Sequence, residues 1–283
     1  MANLRDIRRR IKSVRKTQKI TNAMEMVASA RLRRADAKLR KARDYARALR
    51  GVVERLDPML TPLEAPLARP RPEVRSRCLV VVCGERGLCG AYNSSTLARA
   101  DKLRAGHAAT RVVAVGHKGV QHFRKQRVEL LAEHVRILEG LSYRQAATIA
   151  RALIRMFLRG EVDEVVVLYH RFVSTLQQRL IEERLIPVEL EFTGAGALSL
   201  AEHEPPPNEH LEMLLPELVT ARLYQVLLEA AASEQGARRN AMEAATDNAG
   251  EMIDALTLLY NRTRQAAVTK EILEVVVGSE SLK

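Results

Sequence analysis

The sequence predicts an α/β fold with long helical arms, in which an antiparallel coiled coil of N- and C-terminal helices carries an inserted Rossmann-like α/β domain with a mostly parallel sheet. Apolar residues recur with heptad spacing through residues 1–56, and a second heptad track runs through residues 208–283. Between two proline-rich breaks, short β-branched runs alternate with helix-like stretches. Because only 4% of residues are aromatic and 47% are apolar, the core must consist mainly of Ala, Leu, Val and Ile, which favours close helix packing.

The N-terminal arm contains no proline, and no glycine before Gly51. Alternate steps of three and four residues from Leu4 trace a seam in which thirteen of sixteen positions are apolar, as is typical of a coiled coil, with a helix roughly 80 Å long. The three polar positions of the seam are consecutive, so we expect the seam to face something other than the partner helix there. The seam consists of Leu4, Ile7, Ile11, Val14, Gln18, Thr21, Glu25, Ala28, Leu32, Ala35, Leu39, Ala42, Ala46, Leu49, Val53 and Leu56.

The basic excess of the chain is confined to this arm. Residues 1–55 hold 18 Lys and Arg against 5 Asp and Glu, a formal charge of +13, whereas the remainder carries −1. Such a charge attracts an anionic partner by steering and local pairing, whereas it says little about fold. From charge alone, that partner is a nucleic acid, an anionic membrane surface or an acidic protein.

Two breaks divide the chain. Five prolines fall within residues 57–75, and residues 194–207 end in three consecutive prolines, so both ranges are predicted as linkers around an α/β domain at residues 76–193. Continuous apolar runs indicate strands that are covered on both faces, as in a mostly parallel sheet. The predicted strands are residues 78–83, 111–115, 165–169 and 185–192, and the predicted helices are residues 94–104 and 143–159.

The C-terminal arm is predicted as a second long helix over residues 208–283, with Pro216 expected to kink or restart it. About 90 Å of helix follows that proline. Since both linkers enter one inserted domain, both arms leave it at about the same place, which favours antiparallel pairing. The longer second helix is expected to run past the first and expose Ile272 and Val276 for a socket in another protein; the alternative is a frayed tail folded on itself.

Three groups of residues resemble the gamma subunits of bacterial-type ATP synthases, and the resemblance covers nearly the whole chain. The first and third lie on the two predicted long helices, in the order that the family has them. The first group is TQKITNAMEMVA at residues 17–28 with LRRA at 32–35; the second is RGLCG at 86–90 with YN at 92–93; the third is AMEAATDNA at 241–249 with YNR at 260–262 and RQAAVT at 264–269.

The resemblance implies a central rotating shaft that performs no bond chemistry and needs no cofactor. Its partners would be three alpha and three beta subunits, the epsilon subunit and the ring of c subunits, with peripheral association with the cytoplasmic face of the bacterial membrane through the complex. It also implies partner-binding residues, which for the beta subunit and the sleeve around the shaft are Met24, Glu25, Arg33, Arg34, Arg238, Arg264, Gln265, Thr269, Ile272 and Val276. Lys270 departs from the usual Gln, and Gly236 from a common Ala, where it would soften the helix locally.

Residues 84–90 follow a predicted strand and precede a predicted helix, where a phosphate-binding loop would lie. They lack the Gly-Lys-Ser/Thr of a P-loop and the spacing of a dinucleotide fingerprint, so Gly87, Cys89 and Gly90 are predicted to form a structural turn. No base for a Cys89 nucleophile is identifiable. The three cysteines are expected to be free thiols, and redox control is not predicted.

Other sites and classes are disfavoured. The seven histidines show no zinc-ligand spacing, and we expect no metal site and no catalytic residue. No apolar run reaches the roughly 18 residues of a membrane span, and no signal peptide is recognisable, so we expect a soluble protein that is not secreted. A basic coiled-coil protein that binds nucleic acid would explain the charge but not the apolar C-terminal end, and a doubly wound enzyme with helical arms would lack a cofactor fingerprint.

Overall fold

The computed structural model describes residues 4–55, 65–106, 109–189 and 207–280. Two long helices flank a set of shorter helices and strands. In chain order the elements are α1 (Leu4–Arg55), β1 (Arg77–Val82), α2 (Tyr92–Gly106), β2 (Thr110–Val115), α3 (His117–Lys125), β3 (Leu130–His134), α4 (Tyr143–Leu158), β4 (Glu164–Phe172), β5 (Gln178–Ile186) and α5 (Pro207–Glu280).

The five strands form one sheet in the order β3-β2-β1-β4-β5. The first four pair in parallel, with Val80 of β1 opposite Val113 of β2 and Val167 of β4, and β5 is an antiparallel edge strand. Alternate residues of β1 face two separate apolar clusters: α2 and α3 cover one face of the sheet, and α4 with parts of α1 and α5 covers the other. The predicted mostly parallel sheet, covered on both faces, is therefore confirmed.

Both predicted helices of the α/β domain and three of its four predicted strands are confirmed, with small differences at their ends. The strand predicted at residues 185–192 has the wrong bounds, because β5 begins at Gln178 and ends at Ile186. Residues 190–192 lie outside the described residues. The elements predicted from sequence include neither β3 nor α3. Both β3 and β5 are edge strands with many exposed or half-exposed side chains, such as Arg179 and Glu182, so no continuous apolar run marks them.

The chain divides into two compact units, one comprising residues 1–27 and 239–283 and the other residues 28–238. In the first unit, α1 and α5 run antiparallel. Arg8 Nη2 donates to the Tyr260 hydroxyl over 2.9 Å, and the hydroxyls of Thr21 and Thr246 lie 2.7 Å apart. The buried or half-buried residues of this α1 segment follow the seam, which confirms its heptad pattern.

The polar part of the seam does not turn away from α5, so that expectation was wrong. Gln18 Nε2 donates to the carbonyl of Thr246 over 3.4 Å, Thr21 contacts the same residue, and Glu25 lies 3.9 Å from Arg239. Arg239 and Thr246 are polar residues at heptad positions of the C-terminal helix, whose neighbouring positions are Met242 and Ala249, so polar positions of one helix meet polar positions of the other. Considered without α5, three polar positions in the seam suggest that the helix leaves its partner. In the structure the two helices instead form a polar layer there.

In the second unit, α1 and α5 are again antiparallel. Arg43 Nη2 lies 3.0 Å from Glu229 Oε1, and the Tyr45 hydroxyl donates to Glu217 over 3.0 Å. The helix α5 continues through Pro216, so it does not restart there, and the alternative of a kink at Pro216 stays a prediction. The Pro216 carbonyl accepts from the Thr220 hydroxyl at 2.8 Å.

The domain boundaries predicted at 56/57 and 193/194 stay predictions, because residues 56–64 and 190–206 lie outside the described residues. Of the first predicted linker, residues 65–75 are described and contain neither a helix nor a strand. The backbone amide of Val188 donates to the carbonyl of Leu67 over 2.8 Å. That bond ties the residues after β5 to the residues that precede β1.

Candidate partner-binding surfaces

The two predicted contact residues Met24 and Glu25 are half-buried in the first unit. The Glu25 side chain is 24% exposed and faces Arg239, which also lies 3.4 Å from Glu243. Apolar residues that the sequence analysis did not single out are more exposed here: Ile20, Met26 and Val27 are 50%, 62% and 53% exposed. Their position off the heptad seam could have identified them from the sequence, since an apolar residue off the seam is not needed for pairing of the two helices.

Arg33 and Arg34 are exposed on α1 in the second unit. Arg34 lines a groove of about 340 Å³ whose floor is largely apolar and whose rim is basic. Glu139 at its edge lies 3.8 Å from Arg31 and 2.9 Å from Arg86, the latter in the predicted turn. The groove residues are Arg31, Arg34, Ala35, Lys38, Leu138, Glu139, Gly140, Leu141, Leu228, Ala231, Glu234 and Gln235.

The last turns of α5 carry five further predicted contacts, and they are exposed. Arg264, Gln265 and Thr269 lie at the surface, and Ile272 and Val276 are 58% and 48% exposed. In the first unit, none of residues 254–277 is buried. Leu273, Val275 and Val277 are also exposed, so this helix end presents a concentrated apolar surface.

A second charged cluster joins α1, α5 and the β4–β5 edge in the second unit. Glu229 is buried and accepts from Arg43 and Gln225, and Glu183 binds Arg222 over 2.5 Å. Burial alone would raise the pKa of Glu183, but hydrogen bonding and charge from Arg222 outweigh it and the pKa is lowered. The cluster borders a cleft of about 640 Å³.

Arg238 is placed differently from the other predicted contacts, because its side chain is 8% exposed. Its Nη2 donates to Glu234 Oε1 over 2.6 Å, and its guanidinium donates to the carbonyl of Gly87 over 3.2 and 3.3 Å. A further bond, at 3.4 Å, reaches the carbonyl of Arg86. The prediction that Arg238 contacts the beta subunit stays a prediction, but little of its side chain is available for one in this structure.

The segment at residues 84–90 lies directly after β1 and before α2. Cys89 is buried, Gly87 half-buried and Gly90 exposed, and Gly90 has a φ of 57° that disfavours larger residues. Asn93 accepts from the Gly84 amide over 2.8 Å and donates to Cys89 Sγ over 3.1 Å. Glu234 Oε2 likewise accepts from the Glu85 amide over 3.4 Å, so side-chain oxygens occupy two backbone amides of a kind that a phosphate-binding loop would leave available.

Burial controls the chemistry of the thiols and of the neighbouring histidine. It raises the pKa of Cys78 to about 12 and also raises the pKa of Cys89, where the nearby Arg238 opposes the effect. Burial lowers the pKa of His170 to about 4. Buried neutral thiols are poor nucleophiles at neutral pH.

Within the ranges that the structure describes, no group of three or more His, Cys, Asp or Glu side chains has the arrangement of a metal site. Among the helices described, none combines the length and the apolar character needed to cross a membrane. The features brought together in this chain are exposed apolar and charged helix surfaces and buried ionic contacts between the long helices and the sheet.

The sequence comparisons agree with this arrangement. The family described as ATP synthase matches residues 3–282. The ATP synthase gamma chain of Moorella thermoacetica is 44% identical over 288 residues, and that of Methylobacterium sp. is 45% identical over 294 residues, with each alignment covering 100% of both chains.

Solved structures share the fold. A chain of the Euglena gracilis mitochondrial ATP synthase superposes with a TM-score of 0.72 at 16% identity, covering 99% of this chain and 94% of that one. A chain of the central stalk and c-ring of the Tetrahymena thermophila mitochondrial enzyme gives 0.61 at 24% identity, covering 80% and 99%. The family match over residues 3–282 and the full-length relatives show that the chain belongs to the gamma chains of ATP synthase.

Proposed function

We propose that the chain is the rotating shaft that couples ion flow through a membrane ring to the conformational cycle of three alpha and three beta subunits. The main observation in support of this proposal is the family match over residues 3–282. Within each unit α1 and α5 run antiparallel and contact each other, and two paired helices can transmit torsion. The shaft would act as a cam, because each nucleotide site is biased by the face of the shaft that it meets, and coupling is then a difference in contact free energy.

The exposed helix surfaces support specific contacts. We assign Met24, Glu25, Arg264, Gln265 and Thr269 to contacts with beta-subunit loops. The basic surface around Arg33 and Arg34 suits acidic segments of the same subunits, since opposite charges favour encounter and registration of two surfaces.

The apolar end of α5 supports a sleeve contact. Ile272 is 58% exposed and Val277 63% exposed, and burial of such side chains stabilises an assembly by roughly 1.5–3 kcal/mol for each fully buried residue. An apolar sleeve without directional hydrogen bonds would also let the helix end turn inside it. Ile272 and Val276 are therefore assigned to this contact.

The α/β unit supports the remaining partners. We propose that it rests on the epsilon subunit and the ring of c subunits, which would place the complex peripherally on the cytoplasmic face of a bacterial membrane. Its charged cleft beside β5 offers both Arg and Glu side chains for polar contacts. In this arrangement the sheet transmits motion of the ring to the two long helices.

Reconstitution tests the proposal. The chain is co-expressed with alpha and beta subunits from the same source, and the complex is analysed by size-exclusion chromatography and by ATPase activity. We expect co-elution at one copy per three alpha-beta pairs, with sustained ATPase only when the chain is present. Failure to associate while alpha and beta fold correctly would contradict the proposal, and binding to DNA at physiological salt would then favour the nucleic-acid alternative.

A further inference from the structure

Three residues of α5 that contact the loop after β1 or the start of α2 are spaced by about one helical turn. Ala230, Glu234 and Arg238 follow one another at intervals of four residues, which places them on one face of the helix. The Ala230 carbonyl accepts from the Tyr92 hydroxyl over 3.0 Å, Glu234 Oε2 accepts from the Glu85 amide over 3.4 Å, and Arg238 binds the carbonyls of residues 86 and 87. One stripe of α5 thus holds both the start of α2 and the loop before it.

The fit between the loop and Glu234 is close. A Cβ atom on Gly84 would lie 2.9 Å from Glu234 Cδ, so a larger residue at position 84 would displace the carboxylate. Glu234 and Arg238 are themselves 3% and 6% exposed, and they pair over 2.6 Å. A guanidinium suits this site because its planar fork can bind a carboxylate and carbonyls at once, whereas an ammonium group cannot reproduce that geometry.

We propose that Arg238 is a positioning residue that fixes the loop at residues 84–90 onto α5 and so couples the first strand of the sheet to the shaft helix. The partners of Arg238 are Glu234 and the carbonyls of Arg86 and Gly87. Substitution of Arg238 therefore affects the protein by releasing the loop. That this contact helps to transmit torque rests on the proposed function, whereas the positioning of the loop by Arg238 does not. Arg238 is also the last residue of α5 within the α/β unit.

The loop contains its own reporter, because Cys89 is only 2% exposed and is held by Asn93. Trypsin would release Cys89 in the peptide 87–99, separate from Cys78 and Cys83 in the peptide 78–86. The latter two thiols are fully buried in β1 and directly after it, so they report unfolding of the sheet. Maleimide labelling followed by peptide mass spectrometry therefore distinguishes a released loop from a disrupted core.

The experiment compares the full-length chain with Arg238→Gln, Arg238→Lys and Glu234→Gln. The control is Arg151→Gln, which removes an exposed arginine of α4. We expect the labelling rate of Cys89 to rise about tenfold in Arg238→Gln, less in Arg238→Lys and Glu234→Gln, and not in the control, because charge-assisted hydrogen bonds hold the loop closed. Peptide 78–86 should stay unlabelled in all of them.

Labelling of Cys89 at the wild-type rate in Arg238→Gln and Glu234→Gln would overturn the proposal. If Arg238→Gln also exposes peptide 78–86, Arg238→Lys and Glu234→Gln decide the question, since the first keeps both charges of the ion pair and the second keeps the Arg238 guanidinium on the loop carbonyls. In the reconstituted complex, we expect Arg238→Gln to lower ATP-driven ion pumping more than ATPase turnover, with partial rescue by Arg238→Lys. A pumping defect with Cys89 still protected would instead indicate a direct partner contact, while failure of assembly by the wild-type chain would contradict the shaft function and leave the labelling result intact.

Discussion

The helix α5 has two contrasting regions. Every side chain of residues 218–234 is buried or half-buried, whereas none of residues 254–277 is buried. Both regions contain many apolar residues, so composition does not explain the difference; the first region packs against the sheet and α1 within its unit. The comparison indicates that the first region is stabilised by packing within the chain, whereas the apolar surface of the second region is suited to burial against another protein.

Removal of the exposed region should produce the largest functional effect. A chain ending at Thr269 should lose at least about tenfold in coupled ATP synthesis in the reconstituted complex, while the free energy of unfolding of the free chain changes by less than about 0.5 kcal/mol. A chain ending at Gly278 retains Ile272 and Val277 and should behave as wild type. Loss of cooperative unfolding of the α/β unit on truncation at Thr269 would contradict this contrast.

Matched leucine substitutions should separate the two regions in stability. Leu227 is fully buried and Leu258 is 55% exposed. Leu227→Ala should reduce the free energy of unfolding by about 2–5 kcal/mol because it leaves a cavity, and Leu258→Ala should change it by less than about 0.5 kcal/mol. Denaturant titration of the free chains measures both, and equal effects would show that the two regions are not distinct.

The sheet against which the buried region packs should also carry a pH dependence through His170 of β4, whose carbonyl accepts from the Ser233 hydroxyl of α5 over 2.9 Å. Burial lowers its pKa from 6.5 to about 4, so between those values the unfolded chain binds more protons than the folded chain. Stability should therefore fall as the pH decreases from 6.5 to 4, by about 1–3 kcal/mol from this group. In His170→Gln the unfolding free energy should depend less on pH over this window, and an unchanged slope would exclude His170 as its source.

The smallest effect is expected in the polar layer of the first unit. Thr246→Val removes the hydroxyl that lies 2.7 Å from the Thr21 hydroxyl, and should cost about 1 kcal/mol in unfolding free energy. The double variant Thr21→Val with Thr246→Val should recover part of that loss, since the Thr21 hydroxyl, which keeps only its bond to the Gln18 carbonyl in the single variant, is then removed as well. Additive losses in the double-mutant cycle would mean that the two hydroxyls do not interact.

The fold was most predictable from sequence where the local residue pattern carries the information. The seam of α1 and the central strands were predictable because each is a continuous apolar pattern that must be buried. The edge strands β3 and β5 were not, because their outer residues are charged and their pairing depends on a neighbouring strand. The location of Arg238 in a buried pair could not be predicted either, since its partners at residues 86 and 87 are distant in sequence and a charged residue on a helix is ordinarily exposed.

Amide hydrogen exchange of the full-length chain, free and assembled with alpha and beta subunits, tests the central contrast most directly. The amides of residues 254–277 should exchange at least about tenfold more slowly in the complex, because partner contacts suppress local opening of the exposed helix end. The amides of residues 218–234 should be strongly protected in both states. Equal exchange of residues 254–277 in the free and assembled chains would contradict the account.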